Sequence, residues 1–189
     1  MLISWHDKNS SEEYIMPMVY LIEGPVGAGK SRFSAQLANE KQAVHLALDQ
    51  WFVALFSPDR PQTDVVNWYL ARKERLLQTL WWHAQQILAS GQDVILEMGL
   101  IQAEQRQAFC RQIIAAGFPL TMHVLDASQE VRWQRVQQRN RERGPTYAMQ
   151  VTETVFEIAS QMWQAPDEDE CREFDIRFYF SDTLPASAL

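Results

Sequence analysis

A lysine and a serine behind a run of small residues are the chain's clearest means of handling a phosphate: Gly24-Pro25-Val26-Gly27-Ala28-Gly29-Lys30-Ser31. The spacing matches G-x-x-x-x-G-K-[ST], the phosphate-binding P-loop. Glycines let backbone N–H groups turn inward on anionic oxygens, and the following helix start adds positive potential. Lys30 would reach the β- and γ-phosphates of a nucleotide, and the Ser31 hydroxyl would ligate Mg²⁺. Arg32 follows directly and is counted with the nucleotide-binding set. The competing reading, an accidental glycine turn, lacks a reason for the apolar strand before it and the helix after it.

Two acids are spaced to act beside that loop. Asp49 follows the apolar run Ala43–Leu48 and is the candidate base that takes the proton of an acceptor hydroxyl. Its competing use is as a helix N-cap before Gln50-Trp51-Phe52. Glu97 ends the run Asp93–Leu96, where a Walker B acid would hold Mg²⁺ or its water. It could instead contact the acceptor, or face solvent as an ordinary strand-end glutamate. Arg135 and Arg139 lie four apart, hence on one helix face, and Arg141 and Arg143 follow them. Phosphoryl transfer needs such cations, because charge develops on the equatorial oxygens. The competing reading is a solvated basic helix end. Arg132 reads as a surface residue. His45, His83 and His123 show no metal-ligand spacing and read as structural.

These groups must be held by elements. Val19–Ile22 reads as a buried strand and Arg32–Lys41 as a helix, the order a P-loop requires. The spacing predicts further strands over 43–48, 93–97, 120–126 and 174–180. Helices are expected over 63–90, as one or two pieces, and over 102–116, from Ser128 into the arginine run, and over 151–162. Thr63 or Asp64 would cap the helix over 63–90 and Gly91 would stop it. Pro166–Glu170 reads as an acidic turn. Strands alternating with helices define a three-layer α/β fold with a five-stranded parallel sheet, and ligands of such sheets collect at the carboxyl ends of the strands. That places the P-loop, Asp49, Glu97 and Asp126 on one rim. The expected organisation is a flexible N-terminal extension (1–16), a P-loop domain (17–182) and a short tail (183–189). Within the domain, an aromatic insertion (50–70) carries Trp51, Phe52, Phe56, Trp68 and Tyr69 on the acceptor side. Trp81 and Trp82 read as core. A basic lid spans 139–148.

Composition narrows the partners. The net charge of −7 argues against an extended nucleic-acid surface. Cys110 and Cys171 form no CxxC pair, which fits a reducing, cytoplasmic setting. No run of 18 apolar residues marks a membrane span. Met1–Tyr14 lacks a signal-peptide core, and Met16 or Met18 is an alternative start.

The whole pattern resembles the small P-loop kinases of the zeta-toxin and chloramphenicol-phosphotransferase type, themselves similar to nucleotide kinases. The marks are the P-loop, the acid after the second strand, the arginine-bearing helix after the fourth, and a basic loop ending at Gly144. Arg132 through Asn140 looks like the start of that group's lid, and Phe156 through Glu170 resembles the segment before its last strand. The resemblance implies strand order 2-3-1-4-5, a nucleotide-kinase-like P-loop NTPase fold, ATP and Mg²⁺, and γ-phosphoryl transfer to a hydroxyl. It implies that Arg135 stacks on adenine and Arg139 reaches the phosphates. It assigns Asp49 the acceptor role already read from its position. The reading is therefore an ATP-dependent kinase whose partner is a small hydroxylated substrate.

Other classes fit the sequence less well. A regulatory GTPase needs N-K-x-D, which the sequence lacks. An AAA+ motor needs an additional helical domain. A nucleotide-binding module has no use for Asp49 or the lid arginines. A 5′-hydroxyl nucleic-acid kinase shares the motifs, but acidity counts against a long duplex.

Overall fold

Five parallel strands hold the rim together: β1 (Val19–Glu23), β2 (Val44–Ala47), β3 (Val94–Glu97), β4 (Leu120–Asp126) and β5 (Ile176–Phe180). The computed structural model describes residues 16–144, 147 and 149–182. The extension through residue 15, the tail from 183 and lid residues Pro145, Thr146 and Ala148 lie outside them. The sheet order is β2-β3-β1-β4-β5, as the resemblance implied. Val19 pairs in register with Val94 on one side and Leu120 on the other.

The central strands are almost wholly apolar because both faces are covered. Val19 and Leu21 face one core with Leu46, Leu96, Met122 and Val124. Ile22 faces the opposite core with Leu37, Ile95 and Leu125. Helices fill the crossovers: α1 (Lys30–Lys41), α2 (Leu48–Phe56), α3 (Val65–Ala89), α4 (Ala103–Ala115), α5 (Gln129–Glu142), α6 (Glu153–Met162) and α7 (Glu168–Glu173).

Several boundaries differ from expectation. The aromatic insertion after β2 starts as a helix: α2 begins at Leu48, and its apolar face buries Phe52. A short 3₁₀ turn, Ser57–Asp59, links it to α3. The latter is a single helix of 25 residues. Asp64 stands at its N-cap, but its side chain bonds Asn67 Nδ2 instead of a backbone N–H. Gly91 closes α3 with φ 85°, donating to Leu88 O while Gln92 N donates to Ile87 O, a Schellman ending. Ser128 occupies the N-cap of α5 with no side-chain cap bond. The acidic turn at 166–170 is instead the start of α7, capped by Asp167, whose carboxylate accepts from Glu170 N. Trp82 is 62% exposed and not core, whereas Trp81 is buried against Phe109 and Phe118.

Candidate active site

The P-loop leaves β1 through a backbone that tolerates no side chain at two points. A Cβ at Gly24 would lie 2.1 Å from Leu125 O, and one at Gly27 would lie 2.5 Å from Arg132 O. Both glycines have positive φ, which only glycine adopts without strain. The loop therefore nests against β4 and α5. It ends at Gly29, the N-cap of α1, where no side chain caps the helix. That helix start is suited to anionic oxygens. Lys30 folds back along the loop, its Nζ donating to Gly24 O at 2.8 Å and Pro25 O at 3.0 Å.

Ser31 meets Glu97 across the rim. Its hydroxyl donates to Glu97 Oε1 at 2.8 Å, and Glu97 Oε2 lies 3.2 Å from His45 Nε2. Burial would raise the Glu97 pKa, but His45, Lys30 and Ser31 together outweigh it and hold the carboxyl below its ordinary range. A hydroxyl and a carboxylate are the hard oxygen donors Mg²⁺ takes, and that ion keeps most of its ligands as water or phosphate. The pair thus fits such an ion.

Asp49 sits in the first turn of α2, and the N-cap there is Ala47. The capping alternative is thereby removed: Asp49 is inside the helix, two residues past the strand's end. As a residue Asp49 is exposed, yet the protein packed around its carboxyl desolvates it and pushes its pKa above the ordinary range. Lys30 opposes that shift most, Glu97 adds to it, and Lys73 and Arg139 oppose it further. Asp49 in turn helps desolvation raise the Tyr69 hydroxyl to about 12. P-loop lysine, both acids and one helix arginine thus share one electrostatic neighbourhood.

The arginines divide by role. Arg132 is a correction: it is buried, not a surface residue. Its Nη1 donates to Val26 O and Ser160 Oγ, both at 3.0 Å, and Nε donates to Ala127 O at 3.2 Å. It braces the P-loop against α5 and α6. Arg135 reaches the end of the loop, donating to Ala28 O at 3.3 Å and to Ser181 O at 2.7 Å. Half-buried Arg139 feels Asp49 and Glu97. Its buried Nε finds no partner among the described residues. Arg32 and Arg141 are exposed. Arg143 ends α5 in a left-handed conformation, 5.7 Å from the Tyr147 ring centroid.

The aromatic insertion separates into two parts. Phe52 is buried among Phe56, Trp68 and Tyr69 at ring separations of 4.9–5.6 Å. Trp51 lies outside that cluster, nearest His83.

Four contributors were not anticipated. His45 was read as structural but contacts Glu97; its position on β2, one strand over, was the available signal. Lys73 acts on Asp49 and donates to Gly99 O at 3.0 Å, in the turn after β3. Glu23, the last residue of β1, is wholly buried, and its Oε2 accepts from Leu100 N at 3.0 Å. Arg106 is wholly buried and pairs bidentately with Glu170 at 2.6 and 2.8 Å, while donating to Leu100 O and Gln164 O. Glu23 and Arg106 both anchor the loop following β3. No local spacing announces such long-range partners.

A P-loop after β1 in a 2-3-1-4-5 parallel sheet defines a P-loop NTPase of kinase-like topology. More particularly, residues 19–166 match the family model described as an AAA domain, and the chain belongs to that family. No curated protein matches the chain. Among solved structures it is similar to a candidate kinase from Chloroflexus aurantiacus, with 17% identity and a TM-score of 0.67 over 87% of this chain and 85% of that one. It is also similar to the APS kinase CysC of Mycobacterium tuberculosis, solved with AMPPNP and APS (16% identity, TM-score 0.61, 89% and 90% covered). A third likeness is to the Pnkp1/Rnl/Hen1 RNA repair complex (15% identity, TM-score 0.62), where the match spans 95% of this chain but 52% of the other. No helix among the described residues is long and apolar enough to cross a membrane.

Proposed function

We propose that this chain is an ATP-dependent phosphotransferase that moves the γ-phosphoryl group to a hydroxyl of a small molecule. The observation that carries the reading is the shared field of Lys30, Glu97, Arg139 and Asp49 at the mouth of the P-loop. A nucleotide-binding module needs the first two and has no use for the last pair. The kinase topology of the sheet and the AMPPNP-bound APS kinase among its likenesses support the choice.

In this reading the loop amides and Lys30 hold the β- and γ-phosphates. Arg135 lies beside the loop's end, where a base would stack, and Arg139 neutralises charge developing on the γ-phosphoryl oxygens. Arg143 and the remaining lid arginine, Arg141, lie next along the chain. Ser31 and Glu97 would hold Mg²⁺, which supplies charge stabilisation to the phosphates. Asp49 accepts the acceptor hydroxyl's proton as its oxygen bonds the γ-phosphorus and the bond to the bridging oxygen breaks, releasing ADP. Tyr69, which feels Asp49, and the Phe52 cluster packed against it would wall the acceptor side. The finer likeness to the zeta-toxin and chloramphenicol-phosphotransferase group rests on the same residues.

A panel of hydroxylated small molecules with γ-labelled ATP, and a 5′-hydroxyl oligonucleotide alongside, tests the assignment. Label is expected on a small molecule, and Lys30→Ala is expected to abolish it while leaving the thermal transition in place. Label on the oligonucleotide alone would contradict the small-molecule acceptor.

A further inference from the structure

A separate cavity of mixed polar and aromatic lining lies away from the phosphate cleft. On its sheet face, α1 packs over β1, β2 and β3. A cavity of about 380 Å³ opens between α1 and the β4–β5 side, reaching back to Met18 and Thr121 near the amino ends of β1 and β4. The phosphate cleft is at the opposite, carboxyl ends of those strands.

We propose that this cavity binds a small aromatic carboxylate, with His123 as its hydrogen-bond donor and Lys41 and Arg177 as its cations. The proposal is independent of the kinase reading. Three observations support it. Firstly, the walls are aromatic: Phe33 stands 5.0 Å from Tyr179 and 5.3 Å from His123, and Tyr20 stands 6.0 Å from His123, between ring centroids. A flat ring suits such walls. Secondly, His123 lines the cavity, is only 4% exposed, and has one ring nitrogen satisfied. Its Nδ1 lies 3.0 Å from the Tyr179 hydroxyl, while Nε2 has no partner among the described residues. Buried polar atoms are almost always partnered, so an orphan in a cavity wall points to a missing ligand. With the Tyr179 hydroxyl donating to Nδ1, the neutral ring carries its proton on Nε2 and offers a donor. Thirdly, Lys41 and Arg177 line the same cavity. Burial first, then Arg177, lower the imidazole pKa to about 4 against the opposing pull of Asp175, with Lys41 adding least, so the ring is neutral near pH 7. The cationic groups are then Lys41 and Arg177, the latter also facing Asp175 Oδ2 at 3.5 Å from its Nη2. Glu40 also lines the cavity, and Asp175 accepts from the Thr121 hydroxyl at 2.8 Å.

The test uses the full chain with ¹⁵N-labelled histidine, titrated with benzoate and, separately, with benzyl alcohol. Long-range ¹H–¹⁵N spectra read the nitrogens of each imidazole. The His123 nitrogens are expected to shift saturably with benzoate and much less with benzyl alcohol, and the tautomer is expected to be Nε2–H. Calorimetry should show His123→Phe, which keeps a ring but removes the donor, weakening benzoate by about tenfold or more. Surface Lys41→Gln, which leaves the core intact, should weaken it by about threefold. Equal binding of benzyl alcohol would overturn the anion assignment. A shift at His45 in place of His123 would put benzoate in the phosphate cleft and overturn the site. No shift at millimolar benzoate, or unchanged binding by both variants, would also overturn it.

Discussion

Glu23 places one carboxylate oxygen against the Leu100 N–H and leaves the other buried without a partner among the described residues. Burial raises its pKa to about 7 despite Lys30, Arg106 and Lys73, against an ordinary value of 4.5. The folded state therefore holds this proton where the unfolded chain has lost it. The contribution is fully present below the unfolded pKa and is lost as pH rises through about 7. The difference amounts to roughly 3 kcal/mol. Glu23→Gln should flatten stability between mildly acidic and neutral pH and raise the melting temperature above neutrality, as read by thermal melts across pH. A parallel loss in variant and wild type would show that Glu23 is not the titrating group. Asp49 predicts a rate effect. Its raised pKa means that transfer should climb with pH through that pKa as the base ionises. The acidic limb of the pH–rate profile should vanish in Asp49→Asn.

At the scale of elements, the P-loop is held from outside by α5. Gly27→Ala puts a methyl group against the Arg132 carbonyl at a positive φ, and should cost more than about 1 kcal/mol in a denaturant titration. A neutral result would mean that the loop is free to move off α5. The Arg106–Glu170 pair joins α4 to α7 with both side chains fully buried. Arg106→Ala strands a buried carboxylate and should cost about 3–5 kcal/mol, whereas Arg106→Met with Glu170→Leu should recover most of it. Failure of the double variant to recover would place the cost in the lost bonds to Leu100 O and Gln164 O. These elements also show where sequence legibility ends. The P-loop, Asp49, Glu97 and Arg139 were readable because motif, strand end and helix spacing are local. Arg132 looked like a surface residue because its partners, Val26 and Ser160, are distant in sequence. The helix α7 looked like a solvated turn because a run of four acids hides that Glu170 faces Arg106.

At the scale of the whole molecule, alternation of apolar runs and amphipathic helices sufficed for a parallel three-layer fold, since buried central strands admit little else. The strand order is not a property of periodicity; it came from the resemblance, and the sheet has it. The rim rule then explains why residues from 24 to 139 gather at one mouth. The central claim is that Asp49 acts on the acceptor and not on the nucleotide. The most direct measurement is Asp49→Asn, examined for ATP affinity by calorimetry and for transfer of γ-label to the accepted substrate. ATP affinity should stay near the wild-type value while transfer falls by about 10²- to 10⁴-fold. Wild-type transfer by a variant that still binds ATP would contradict the claim and leave the acceptor side without its base.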